Sequence, residues 1–377
     1  MPTPEKRRKV TYIISQIDKA IGFEWITENL DQSRFELSYI LLNEKPSYLA
    51  GFLSEKGIAV DELMFSGRKQ ELPFLLLKVI NLLRKKKPDV IHTHMYIADL
   101  IGQFAGKLLR IKKRVYTRHS SNESRKYHKK QRIDQIVNAL STHVIAISEN
   151  VKNILHEQEN VPLERIRLIH HGFRLEQFNN IPAAEIDELS ARYNPQKKSP
   201  VIGVVARYSH WKGIQDAIAA FKKVLGDYPN ALLVLANARR GDYKDEIAAL
   251  LSELPEDSYH EIIFEHNLFA LYQLFDVYVH LPIDPELEAF GQTYVEALAA
   301  GIPSVFTLSG VAREFIRNGE NALVVDFENA EQAYEAILKL LGDEELRRKL
   351  SANGKTDVQK MFTLKIMIDK MERLYSE

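Results

Sequence analysis

Short runs of β-branched and aromatic residues alternate with longer amphipathic stretches along most of the chain. In the first half the spacing predicts strands at 10–15, 37–42, 60–65, 90–93, 114–117, 144–148 and 166–170. Between them lie helical patterns at 22–31, 47–56, 74–87, 96–109, 130–140 and 149–158. Alternation of this kind argues for a parallel sheet with helices on both faces. The pattern breaks over 174–200, where Pro182, Pro195 and Pro200 flank a polar stretch; this segment reads as a linker. It restarts with strands at 201–206, 231–236, 262–265, 277–280, 304–307 and 323–325, helices between them, and three helical stretches at the end. Two doubly wound units in series predict a ligand site beyond the carboxyl ends of the strands, in the gap between the units.

Length agrees: 377 residues suggest two domains at about 150 residues each. With 45% hydrophobic and 27% charged residues, a disordered or collagenous chain is excluded. The absence of cysteine excludes disulfides, thiolate catalysis and cysteine-based zinc sites. The longest apolar stretch, 72–83, is interrupted by Lys78 and too short to span a bilayer. The basic start (Lys6 to Lys9) leads into an apolar run ending at Ser15, which reads as a first strand and not a signal peptide. The expectation is a soluble, cytoplasmic protein.

Charge is balanced overall but not along the chain. Residues 1–190 carry 30 lysines and arginines against 23 acids, a net of +7; the remainder carries 21 against 28, a net of −7. Two explanations stand: an anionic partner on the N-terminal side, or solvated helix faces. The run 125–132 is strongly basic with one tyrosine, and 84–87 ends an apolar helix. Either could attract a lipid diphosphate carrier or anionic headgroups at about 1 kcal/mol per cation, which would give a peripheral membrane contact; a solvated helix end is the alternative. Sparse aromatic interleaving argues against nucleic acid as a partner.

Candidate chemistry concentrates at 286–314. Glu288 and Glu296 stand eight positions apart, and Phe290, Gly291, Gln292 and Thr293 form a tight loop into a helix. Amides at a helix start can hold an anion without a metal, and Gly291 lets the backbone approach it closely. Glu296 could accept hydrogen bonds from paired ribose hydroxyls; taken alone, both acids could equally be solvated residues beside a helix start. The second signal is Arg207 and Lys212 in a strand-to-helix loop, able to grip one diphosphate, or simply surface cations. No Walker glycine pattern is present, which excludes a P-loop. His92 and His94 alternate onto one strand face and allow a metal pair or strand-end packing; no third ligand is evident, and packing is preferred.

Together these segments resemble the glycosyltransferase family 4 pattern on the two-domain GT-B fold: an α/β chain of two Rossmann-like, doubly wound domains facing across a cleft. The resemblance rests on Glu288-x7-Glu296 followed by Ala297 to Pro303, on Gly310, Glu314 and 318–321, and on Arg207-x4-Lys212-Gly213. In the N-terminal half it rests on 88–94, 117–119, 146–149 and 171–173. It implies an acceptor-binding domain over 1–180, a nucleotide-sugar-binding domain over 181–355, and a C-terminal helix over 356–377 crossing back to the first domain.

It also implies retaining, metal-independent transfer of a hexosyl group from a nucleotide-diphosphate-sugar, a UDP-sugar first, to a glycan or lipid-linked acceptor, as in polysaccharide biosynthesis. No resident cofactor is implied. Glu288 and His119 would act at the sugar, with His119 either catalytic or positioning. Gly22, Arg207, Lys212, Phe290, Gly291, Gln292, Thr293 and Glu296 would bind the donor. Where the family carries adjacent glycines in its first loop, this chain has Gly22 alone; Glu265, His266 and Asn267 stand where the family often has glycine. The competing readings are a catalytically silent nucleotide-sugar-binding partner subunit and a sugar-nucleotide epimerase.

Overall fold

A computed structural model describes residues 6–121 and 128–377. The chain forms two compact units: residues up to Phe173 together with Leu364–Glu377, and Arg174–Thr363. The expected boundaries were 180/181 and 355/356; the units change at 173/174 and 363/364.

Unit 1 holds a sheet of β1 (Arg8–Ser15), β2 (Phe35–Asn43), β3 (Ala59–Met64), β4 (Val90–His94), β5 (Lys113–Arg118), β6 (His143–Ala146) and β7 (Ile166–Leu168). Its order is β3-β2-β1-β4-β5-β6-β7, and every pairing is parallel. Unit 2 holds β8 (Val201–Val205), β9 (Leu232–Ala236), β10 (Tyr259–Ile262), β11 (Val277–His280), β12 (Ser304–Phe306) and β13 (Leu323–Val324), in the order β10-β9-β8-β11-β12-β13, also parallel. Central strands β4, β8 and β11 are buried at every position, as expected for strands covered on both faces. In both sheets the strand order reverses beside the first strand, between β1 and β4 and between β8 and β11. Ligand crevices of doubly wound sheets open at the carboxyl ends of such strands.

The segment read as a linker contains a helix, Ala183–Tyr193. Pro182 sits at its N-cap, where a missing N–H costs nothing, and Glu185 in the first turn favours the helix dipole. Leu189 anchors it by burial. The prolines bound this helix instead of interrupting it.

The terminal helix Leu364–Ser376 packs within unit 1, burying Met367, Ile368, Met371, Leu374 and Tyr375 in the same core as Tyr12 and Tyr39. Arg8 and Lys113 donate to the carbonyls of Tyr375 and Leu374, both at 2.6 Å, so cations satisfy the carbonyl end of the helix. Among the described residues no helix is long and apolar enough to cross a membrane.

Candidate functional site

At the crevice of unit 2, the loop after β8 carries Arg207 and the turn His210–Lys212; the loop after β11 runs to Gly291, where the helix Gln292–Ala300 begins. The two loops are tied by Ile283 N–H donating to the Trp211 carbonyl at 3.1 Å. Gly213 (φ +68°) makes this possible: a Cβ there would lie 1.6 Å from the Leu281 carbonyl oxygen. The contact delivers Lys212 to Glu288, whose two carboxylate oxygens each accept from Nζ at 2.8 Å. Both side chains are largely buried, 14% and 7% exposed, so the attraction is weakly screened and each ion depends on the other. Trp211 adds its ring face, 4.2 Å from Nζ.

Gly291 takes φ +86° at the helix N-cap, and a Cβ would meet the Tyr294 ring at 2.6 Å. That strain-free turn points the first amides of the helix, those of Gln292 and Thr293, beyond the β11 end. Phe290 is buried, its ring edge-on to Phe362, and its carbonyl accepts from Val311 N–H at 3.0 Å; it holds the loop in place. Gln292 is exposed. Glu296, one turn inside, accepts from Tyr272 Oη at 2.9 Å. Burial pushes its carboxyl up to about 7, opposed by that hydrogen bond. Arg207 is exposed and, among the described residues, its side chain has no ion pair or hydrogen bond. A diphosphate would find there one open cation, one cation held by a carboxylate, and a helix N-terminus.

At the corresponding crevice of unit 1 the chemistry is imidazole. His119, just beyond β5, shares a 3.0 Å hydrogen bond between its Nε2 and His94 Nδ1. One nitrogen must donate and the other accept, so the bond requires at least one neutral ring. His94 lies stacked on Tyr12 (5.7 Å, 11°) with Phe23 edge-on at 4.8 Å. His171 stacks on His119 (5.7 Å, 10°). Burial pushes the pKa of His119 down to about 4 and those of His92 and His171 to about 3, and holds His94 far below the ordinary range. At neutral pH the cluster is therefore uncharged, and His119 offers hydrogen bonds, not a cation. His92 bonds Tyr375 Oη at 2.6 Å and Thr117 Oγ1 at 2.8 Å, and is part of the packing. Among the described residues no group of three or more histidines or acids is disposed to hold a metal ion. Gly22 lies in the first turn of the helix Ile21–Asn29, where a Cβ would meet nothing within 4 Å.

Three neighbours of the predicted site residues had no functional place in the sequence pattern, where His94 is read only as strand-end packing or half of a metal pair. His94 is hydrogen-bonded to His119, and Tyr272 to Glu296. His280, at the end of β11, is buried with neither ring nitrogen hydrogen-bonded, and nearby Lys212 adds to the burial that lowers its pKa. His94 and His280 close strands β4 and β11, which is the signal the sequence offers for them; Tyr272 ends the helix Leu268–Tyr272 and has no such signal. Of the basic run 125–132, residues 125–127 lie outside the described residues.

Residues 185–357 match the family described as Glycosyl transferases group 1, and residues 28–177 match Glycosyltransferase Family 4. The capsular polysaccharide biosynthesis glycosyltransferase CapM of Staphylococcus aureus is 27% identical over 314 residues, 80% of each chain. Anabaena HepE, solved with UDP and glucose, superposes with a TM-score of 0.82 at 20% identity, over 97% of this chain and 99% of that one. A glycosyltransferase from Rickettsia africae superposes with a TM-score of 0.80 at 20% identity, over 98% of each. The fold is thus that of GT-B glycosyltransferases, and each half of the chain matches a glycosyltransferase family.

Proposed function

We propose that this protein is a retaining hexosyltransferase that moves a sugar from a UDP-sugar to a glycan or lipid-linked acceptor without a resident cofactor or metal. The observation that carries the reading is the Lys212–Glu288 ion pair beside the helix N-terminus at Gly291. When a nucleotide diphosphate enters, Lys212 exchanges the carboxylate for phosphate oxygens, and Glu288 is released to accept hydrogen bonds from the sugar hydroxyls. Arg207, Lys212 and the amides of Gln292 and Thr293 then face the charge that grows on the leaving diphosphate as the glycosidic bond breaks. Glu296 accepts from the ribose, with Tyr272 fixing its carboxylate. His119 serves as a neutral hydrogen-bonding group toward the donor sugar, its ring orientation set by His94.

CapM's capsular polysaccharide role and HepE's complex with UDP and glucose support a UDP-sugar donor and a glycan acceptor. The basic surface of unit 1 supports a peripheral membrane contact for a lipid-linked acceptor. The test is a thermal-stability screen against nucleotide diphosphates, followed by incubation with matching nucleotide-sugars. UDP is expected to raise the melting temperature most, and a UDP-sugar to release UDP slowly by hydrolysis. An epimerised donor, or tight binding without released UDP, would replace the transferase reading with an epimerase or a silent binding subunit.

A further inference from the structure

The amino edge of the unit 1 sheet, opposite the histidines, borders a cavity of about 730 Å³. It is built where three adjacent strands begin. Lys6 precedes β1, Lys87 precedes β4, and Arg110 and Lys112 precede β5, and the order β1-β4-β5 sets these entries side by side. Arg84, in the last turn of the helix Leu72–Lys86, adds a fifth cation.

Its other cations have structural duties. Arg8 and Lys113 satisfy the carbonyl end of the terminal helix, and Arg7 reaches the Gln32 carbonyl and Glu36. Its two acids are engaged as well: Asp89 accepts from Lys9 N–H at 2.9 Å, and Glu377 pairs with Arg167 at 3.0 Å. Lys6, Arg84, Lys87, Arg110 and Lys112 have no ion pair or side-chain hydrogen bond among the described residues. Complementing the helix dipole explains Arg84 but not Lys6 or Lys112, which lie on strand entries. Lys87 and Arg110 also hold left-handed backbone, φ +48° and +56°, where glycine or asparagine is the easier choice. Desolvation lowers the pKa of Lys113; Glu377 opposes the shift, and the neighbouring cations Arg8 and Arg167 add to it.

We propose that this cavity binds an anion carrying two or more phosphate groups. Several cations around one concave space suit a ligand with several charged oxygens, and the arginines supply forked contacts to phosphate. The site stands on its own geometry and does not depend on the transferase reading. The phosphates could belong to a free polyphosphate-type metabolite or to the headgroups of an anionic membrane; the exposed Leu108 beside the cavity wall would suit the second source.

The experiment titrates inorganic tripolyphosphate into three proteins by calorimetry: wild type, the double variant Arg110→Glu/Lys112→Glu, and Lys212→Ala. Lys212→Ala is expected to keep a binding event that the double variant weakens at least tenfold, and any second event at the pocket of Lys212 is expected to weaken in Lys212→Ala alone; an unaltered circular dichroism spectrum shows each variant folded. A second arm sediments wild type and double variant with vesicles of phosphatidylcholine, with and without 30% phosphatidylglycerol. Sedimentation dependent on phosphatidylglycerol and lost in the double variant assigns the membrane source; tripolyphosphate binding without it assigns the free source. If wild type binds neither probe, or the double variant binds as wild type does while Lys212→Ala does not, the proposal is overturned.

Discussion

The carboxyl edges of the two sheets occupy the same topological position and are electrostatic opposites. In unit 1 the switch point leads to a desolvated, uncharged stack of His92, His94, His119 and His171 against Tyr12 and Phe23. In unit 2 it leads to a buried ion pair, a half-buried acid and an open helix N-terminus. Topology selects where a site opens, and the side chains beyond the strands decide what can be held there. A neutral hydrogen-bonding wall suits sugar hydroxyls; an ionic, amide-rich pocket suits a diphosphate.

The sharpest way to break this contrast is Lys212→Ala. It strips the ionic edge of its paired cation and removes the ammonium from both carboxylate oxygens of the buried Glu288. Donor affinity and turnover together are expected to fall by about 1.5–3 kcal/mol, roughly 10- to 150-fold in kcat/KM. Urea unfolding should show a loss on the order of 3 kcal/mol. Unchanged kinetics would rule out the diphosphate role.

The neutral edge can be broken with acid. The folded pKa values of His92 and His94 lie below the ordinary value near 6.5, so the unfolded chain binds protons first. The stability these residues contribute is full above pH 6.5 and falls as pH drops toward the folded values. Between pH 7 and 5 each is expected to account for about 2 kcal/mol of lost stability. His94→Gln should flatten the pH dependence of urea unfolding by that amount, and an unaltered slope would contradict the assignment.

Glu296 has the opposite sign. Its folded pKa, about 7, lies above the unfolded value, so its contribution is greatest in mild acid and fades as pH rises through 7. Part of the residue still reaches solvent, which reduces the effect. Glu296→Gln is expected to stabilise the protein at pH 8 by about 1–2 kcal/mol relative to pH 5, while raising the donor KM. An effect on kcat alone would argue against ribose binding.

The smallest stability effect should come from Gly22→Ala. Open space surrounds the position and its backbone is helical, so a gain of about 0.5–1 kcal/mol is expected. If transfer assays nonetheless show lost activity, the glycine serves the approach of a ligand and not the fold.

Much of this was written locally. Parallel strands covered on both faces read as largely apolar runs, so β8 and the buried stretch 10–14 of β1 were legible, as was the turn at Gly291. The helix Ala183–Tyr193 was hidden because its bounding prolines resemble those of a linker. Glu288, Glu296, Arg207 and Lys212 could be singled out by residue type and spacing, since a loop-to-helix junction is a local pattern.

Their partners could not. Lys212 meets Glu288 across 76 positions because β8 and β11 are neighbours in the sheet, and His94 meets His119 because β4 lies beside β5. Lys6, Lys87, Arg110 and Lys112 of the basic cavity come from three strand entries that only the sheet order assembles, and Arg84 joins them from a helix end. Hydrophobic periodicity is a property of adjacent residues, so the sequence alone determined the elements and the fold class. Pairing, burial and the resulting charge states depend on which distant segments share a crevice, and these the tertiary structure alone decided.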